Sequence, residues 1–418
     1  MESFLVEGGV RIAGALRVDS AKNAVLPILA ASVLTDETVT ILDVPSITDV
    51  KHMADILTIL GCQVRRDGGT LTVESGGLHN WEMPDRLSKQ IRSSIFLLGP
   101  ILSRFRKATV TFPGGCEIGL RPIDLHLNGL RRLGVTVDEE GGQIHCDGTQ
   151  MHAGEVHFDY PSVGATENVM MAAVMLEGTT IIHNAAREPE IVDLQNFINA
   201  MGGCVRGAGG HYIEVTGVKK LHGATWLPIA DRIVAGTMLA AAAVTGGQIE
   251  LNRAPAEDMV AVTSKLREMG CRISEEKDRV ILDAPSRLTA FSQLQTQPHP
   301  GFPTDMQVQM LALLCVSEGT GVIVENVFEN RFTHAGDLNR MGAHILCSGR
   351  TAVVRGVEQL YGARVTARDL RGGAALILAG LVAQGVTQVD GAALVDRGYD
   401  AIERQLSGLG ARIARVTT

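Results

Sequence analysis

One pattern of apolar and polar positions recurs six times along the chain: an apolar residue, a glycine, then an alternating run. It reads Leu60-Gly61-Cys62-Gln63-Val64, Leu133-Gly134-Val135-Thr136-Val137 and Met201-Gly202-Gly203-Cys204-Val205. It returns as Met269-Gly270-Cys271-Arg272-Ile273, Met341-Gly342-Ala343-His344-Ile345 and Leu409-Gly410-Ala411-Arg412-Ile413. Successive glycines stand 73, 68, 68, 72 and 68 residues apart. A glycine after an apolar helix end suits the position just past the helix, where φ is positive; the alternation after it predicts a strand. A period this steady marks a repeat architecture.

A second pattern lies between these copies: a polar or charged residue opening a stretch with no polar face. The stretches begin near Lys22-Asn23, Arg92-Ser93, Thr166-Glu167, Asp231-Arg232, Thr304-Asp305 and Asp369-Leu370-Arg371. In the fourth, Val234 to Val244 is uncharged throughout. A helix apolar all round is buried all round, whereas Asp258 to Met269 keeps its charges on one face. Each repeat therefore predicts a buried helix, an amphipathic helix and several strands, an α/β architecture. Six repeats divide as three plus three, with a break near Trp226-Leu227-Pro228-Ile229. The expected domains are residues 22–229, and residues 1–21 together with 230–418, with the active site in the cleft between them. The N-terminal strand, Glu2 to Val18, precedes the first helix, so it is expected to pair with the C-terminal half.

Composition narrows the class. At 418 residues the chain is too long for a single core, and 45% hydrophobic with 20% charged residues is globular. Its 38 Lys+Arg against 46 Asp+Glu give a net charge of −8, which excludes a protein-wide basic surface for nucleic acid. The N-terminal residues carry acids and no apolar core, so no signal peptide is expected. No apolar run approaches the ~20 residues of a membrane span. Seven cysteines show neither Cys-x-x-Cys nor zinc-ligand spacing. A soluble cytoplasmic protein follows, with most thiols serving as small core hydrophobes.

The candidate chemistry begins at the helix starts, which carry Lys22, Asn23, Arg92, Arg232, Asp305, Asp369 and Arg371. Asp and Asn cap helices, but Lys and Arg oppose the dipole at an N-terminus, so the basic residues point to an anionic ligand. The most unusual segment, Pro113 to His126, brackets Gly114, Gly115, Cys116, Gly119 and Arg121 between prolines. Glycines beside a thiol and a guanidinium suggest a mobile loop carrying chemistry, or an ordinary hairpin loop with a buried Cys. Pro161 to Asn168 opens a helix with small and hydroxyl residues, and Thr304-Asp305 puts a carboxylate at a helix start, as cap or as general base.

These segments together resemble the family of UDP-N-acetylglucosamine enolpyruvyl transferases (1-carboxyvinyltransferases). The resemblance runs through Ala21–Ala31, Pro113–Leu127, Ser162–Thr166, Asn184–Leu194, Phe302–Gln307, Val327–Phe332, Asp369–Arg371 and Arg397. It implies the two-domain inside-out α/β barrel of that family, with three repeats in each domain. It also implies transfer of enolpyruvate from phosphoenolpyruvate to the 3′-hydroxyl of UDP-N-acetylglucosamine with release of phosphate, the first committed step of peptidoglycan synthesis.

By the same resemblance, Lys22, Asn23, Arg121 and Arg397 surround phosphoenolpyruvate. Cys116 protonates its C3 and is open to alkylation by an epoxide such as fosfomycin. Asp305 takes the proton of the sugar hydroxyl. The sugar nucleotide falls to Asn23, Arg92, Arg121, Pro122, Ile123, Asp124, Leu125, Ser162, Val163, Gly164, Asp305 and Val327. Tyr160 departs from relatives that carry Lys there near the diphosphate, so this position supplies no cation for it. The acids and histidines form no ligand cluster, so neither a metal nor another cofactor is expected, and the partners are the two small-molecule substrates. The rivals are the sister enzyme acting on shikimate 3-phosphate, which lacks the Cys-bearing loop, and a retired paralogue, which would lack the proton-transfer groups.

Overall fold

The computed structural model describes residues 2–112 and 123–417. Its chain divides into two compact units at Asp19/Ser20 and Ile229/Ala230, so that the N-terminal segment belongs with the C-terminal half. All six repeat glycines have positive φ: Gly61 (111°), Gly134 (84°), Gly202 (90°), Gly270 (98°), Gly342 (98°) and Gly410 (94°). Each follows an outer helix and precedes a strand, as in helix Pro189–Ala200 before strand Cys204–Arg206.

Six sheets are present among the described residues, five of four strands and one of three. They share one plan. The strand after the buried helix takes a parallel neighbour on one side, drawn from before that helix in every sheet but the first, and an antiparallel returning strand on the other. In the fifth repeat, Thr320–Val324 takes Gln293–Gln295 on one side and Thr351–Arg355 on the other, and His344–Ser348 lies outermost. The three-stranded sheet has a single bridge, Glu82 to Thr109, in the parallel position.

The N-terminal segment departs from expectation in being two strands rather than one. Glu2–Glu7 is antiparallel to both Val386–Asp390 and Arg412–Thr417, filling the hairpin-return place of the sixth sheet. Ala13–Arg17 then supplies the parallel strand of the fourth sheet beside Gln248–Asn252. In the other unit the equivalent closure is made by Thr225–Trp226 against Thr38–Ile41. Asp193 anchors that strand, accepting from Trp226 Nε1 (3.1 Å) and the Ile229 N–H (3.2 Å).

The helices without a polar face form the cores. In the C-terminal unit Arg232–Thr245, Thr304–Val316 and Leu370–Val382 pack on one another, buried along almost their whole length. Small residues permit the approach: a Cβ on Gly236 would stand 2.9 Å from the end of Met306. In the other unit the first helix is Lys22–Ala31 and the third Val163–Ala173. The second is not one helix. A 3-10 turn, Arg92–Leu97, precedes a short α-helix, Leu98–Phe105. Buried Cys146, Cys271 and Cys315 are each pushed up to about 12 by burial, which makes them core residues rather than nucleophiles. Cys347 is exposed. No helix among the described residues is long and apolar enough to cross a membrane.

Candidate active site

In the C-terminal unit the polar residues gather where the three core helices begin. Asp231 and Asp369 are helix caps: Asp231 Oδ1 accepts from the N–H of Ile233 (2.8 Å) and Val234 (2.9 Å), and Asp369 Oδ1 from Arg371 and Gly372 (both 3.0 Å). For these two acids capping explains the charge. Asp305 is different. It lies one residue inside helix Thr304–Val316, whose cap position is Pro303, and its carboxylate faces two buried cations. Arg331 donates to Oδ1 at 3.0 Å and Arg371 Nε to Oδ2 at 3.2 Å. Both arginine side chains are almost wholly buried while that of Asp305 keeps 27% exposure, so the acid is the member of the cluster open to an incoming group.

Arg371 also lies over the Tyr399 ring, 5.2 Å from its centroid. Burial alone would lower its basicity, but Tyr399, Asp305 and Asp231 outweigh that and hold it above the ordinary arginine value. Tyr399 Oη is 2.9 Å from Thr237 Oγ1, which accepts from Gln309 Nε2 at 2.9 Å, so the network reaches all three core helices. His334 is buried nearby and pushed down to about 4 by burial and the Arg331 charge, with Asp369 opposing, so it is neutral at physiological pH.

Val327, in the turn after strand Thr320–Val324, is fixed by its backbone: its N–H donates to Glu325 at 2.8 Å. Arg397 is half-buried in the turn after the short helix Ala392–Val395.

In the other unit Lys22 and Asn23 are the first two residues of helix Lys22–Ala31, which has no side-chain cap. Lys22 Nζ is 2.7 Å from Asp49 Oδ2, a buried acid in the first turn of helix Thr48–Ile59. Lys22 and Arg371, two of the basic residues at helix starts, thus have carboxylate partners of their own, which the expectation of a ligand as their counter-charge did not include. Pro27 offers no N–H to the Asn23 carbonyl one turn earlier.

Arg92 opens the 3-10 turn, and its charge adds to burial in holding His126 down at about 3. His126 Nδ1 meets Asn168 Nδ2 at 2.7 Å, and Asn168 also bonds the Ile95 carbonyl (2.9 Å) and the Gly99 N–H (2.7 Å). Gly164 lies against the same imidazole, where a Cβ would be 2.8 Å from Cε1.

Ser162 caps helix Val163–Ala173 through the Ala165 N–H (3.4 Å). That helix starts three residues before the expected Thr166, which places Thr166 and Glu167 inside it. Ile123 is buried at the start of helix Asp124–Arg132, with Asp124 exposed and Leu125 half-buried. Tyr160 is 43% exposed, two residues before the Ser162 cap. Cys116, Arg121 and Pro122 lie outside the described residues.

Arg331, Glu325, Asn168 and His334 were given no role in the sequence. Arg331 had a signal, a guanidinium flanked by Phe328 and Phe332; the others had none, because their partners are distant in sequence.

A sequence profile of EPSP synthase (3-phosphoshikimate 1-carboxyvinyltransferase) matches residues 6–406. UDP-N-acetylglucosamine 1-carboxyvinyltransferase 2 of Caldanaerobacter subterraneus subsp. tengcongensis is 47% identical over 416 residues, covering 100% of both chains. UDP-N-acetylglucosamine 1-carboxyvinyltransferase 1 of Symbiobacterium thermophilum is 50% identical over 421 residues, covering 99% of this chain and 95% of its own. The crystal structure of the enolpyruvyl transferase NikO from Streptomyces tendae superposes with a TM-score of 0.90 at 24% identity, covering 100% of this chain and 99% of that one, which establishes the fold. With the repeats, the fold and end-to-end identity in agreement, the chain belongs to the EPSP synthase family of enolpyruvyl transferases, among the UDP-N-acetylglucosamine 1-carboxyvinyltransferases.

Proposed function

We propose that the protein transfers enolpyruvate from phosphoenolpyruvate to the 3′-hydroxyl of UDP-N-acetylglucosamine, the first committed step of peptidoglycan synthesis. The observation that carries this reading is identity of 47% across the full length of a relative bearing that name. The geometry supports it with a semi-exposed carboxylate, Asp305, oriented by two buried guanidinium groups.

The chemistry is an addition followed by an elimination. Cys116 gives a proton to C3 of phosphoenolpyruvate as the sugar oxygen bonds to C2, and Asp305 receives the hydroxyl proton. The tetrahedral adduct then loses a C3 proton and breaks its C2–O bond to phosphate, which restores the double bond. Lys22, Arg121 and Arg397 bind the phosphate and carboxylate anions, where guanidinium and ammonium donors offset the charge. Asn23 holds the sugar and the adduct. Arg92, Ile123 to Leu125, Ser162 to Gly164 and Val327 engage the nucleotide.

The test is phosphate release from phosphoenolpyruvate, offering UDP-N-acetylglucosamine and shikimate 3-phosphate in turn. Release with the sugar nucleotide alone is the expected outcome. Release with shikimate 3-phosphate alone assigns the sister activity, and release with neither refutes the proposal.

A further inference from the structure

Glu325 follows strand Thr320–Val324, and its side chain is fully buried. Its two oxygens are divided between two errands. Oε1 accepts from Thr296 Oγ1 (2.8 Å), the Val327 N–H (2.8 Å) and the Phe328 N–H (3.1 Å). Oε2 accepts from Thr304 Oγ1 at 2.9 Å. Thr296 Oγ1 in turn accepts from the Asn326 N–H at 2.8 Å, so the whole turn from 325 to 328 is folded around this one carboxyl group. Thr304 is the first residue of the helix whose second residue is Asp305. Arg331, which orients Asp305, stands six residues after Glu325, in the turn that follows.

We propose that Glu325 is a positioning residue that sets the Val327 backbone and the Asp305 carboxylate as a single rigid unit. The inference rests on the functional reading above, in which Val327 contacts the sugar nucleotide and Asp305 accepts its proton. Glu325 touches no substrate, since it is sealed beneath both. One side chain thereby couples the depth at which the nucleotide seats to the distance between its hydroxyl and the base. Misplacement of a reacting group by about 1 Å costs on the order of 100-fold in rate.

The geometry also dictates what each replacement does. In Glu325→Gln the amide oxygen can keep the three donors of the turn, while its NH2 donates to Thr304 Oγ1, a hydroxyl able to accept. Glu325→Ala removes both arms. Thr304→Val removes only the arm toward Asp305 and keeps the side-chain volume.

The experiment measures kcat, KM for each substrate, direct binding of UDP-N-acetylglucosamine and melting temperature on the full-length wild type and these three variants. Glu325→Ala is expected to lower kcat by roughly 10- to 100-fold and to weaken the sugar nucleotide about 10-fold. Thr304→Val is expected to lower kcat with KM for the nucleotide unchanged. Glu325→Gln is expected to recover most of both. A purely structural role would lower the melting temperature of Glu325→Ala and Thr304→Val without moving either constant, and that result overturns the proposal. Glu325→Gln as impaired as Glu325→Ala also overturns it, since the charge and not the geometry would then matter. If Glu325→Ala does not fold, unchanged kcat in Thr304→Val is sufficient to reject it. Absence of wild-type turnover refutes the functional reading instead; unaltered nucleotide binding in the variants would then still reject the Val327 arm.

Discussion

The two units share a repeat and a closure rule, yet they differ in how the polar groups in and around their buried helices are met. In the C-terminal unit Asp231 and Asp369 cap helices, and Asp305 is matched by Arg331 and Arg371, so charge is compensated in place. The other unit pairs Lys22 with Asp49 but keeps its deepest titratable groups neutral. His126 is held down at about 3, and Glu167 is raised well above the usual carboxylate value by burial, then by Glu190 and Glu188. Neither Glu167 oxygen has a hydrogen-bond partner among the described residues. The contrast shows that the repeat prescribes where helices begin and leaves open how the charge there is met. An ion network is fragile to loss of one partner, whereas neutral buried groups are sensitive to pH.

The largest effect expected from breaking this contrast is at Asp305. Asp305→Asn keeps the volume and removes the proton acceptor, and kcat should fall roughly 10²- to 10⁴-fold. Steady-state turnover with both substrates saturating measures it; a loss of only a few-fold would place the base elsewhere. Next comes the network itself. Arg331→Met leaves semi-exposed Asp305 and buried Asp369 short of a buried cation and should destabilise the protein by about 3–5 kcal/mol, read from denaturant unfolding. A change under about 1 kcal/mol would mean that Arg371 alone suffices for the two acids.

Helix packing sharpens the comparison at the next scale. A Cβ on Gly99 would stand 2.3 Å from the Asn168 carbonyl oxygen, a backbone atom that cannot step aside. Gly99→Ala should therefore cost about 1–3 kcal/mol. Gly236→Ala meets only the flexible end of Met306, which can shift, and should cost less. Equal losses at the two sites would show that the broken second helix packs no more tightly than its counterparts.

The smallest expected effect is at Glu167. Its folded-state value is raised, so on raising the pH the unfolded chain releases this proton first. Stability then falls with pH from about 4.3 upward until the folded group also ionises. Glu167→Gln removes that slope and should gain about 1 kcal/mol or more at pH 8 while changing little at pH 4. Parallel stability–pH curves for wild type and variant would contradict a neutral buried acid.

Much of the fold was legible because its strongest demands are local. The six repeat glycines announced themselves through the positive φ that ends each outer helix, and four core helices start at or within a residue of the place their polar openers mark. The 3-10 form at Arg92 was not legible, since Arg92-Ser93 opens an apolar run just as the openers of the true helices do, and polar Thr166-Glu167 drew the expected third start three residues past Val163. The break between Glu2–Glu7 and Ala13–Arg17 depends on partners in two sheets hundreds of residues away. At the candidate site, residue types marked Lys22 and Asp305, and the family resemblance marked Arg397, but not what holds them. Arg331 and Arg371 reach Asp305 from 26 and 66 residues along the chain, and a one-dimensional pattern carries no trace of such meetings.

Enolpyruvyl transfer as proposed cleaves a C–O bond. Phosphoenolpyruvate carrying a heavy-oxygen label in its C–O–P bridge, reacted with UDP-N-acetylglucosamine, reports on that bond. Addition and elimination at C2 send the bridging oxygen out with phosphate, so the label should appear wholly in phosphate, in step with an unlabelled enolpyruvyl ether of the sugar. Label retained on the three-carbon product would mean that the P–O bond had broken, and would rule out enolpyruvyl transfer.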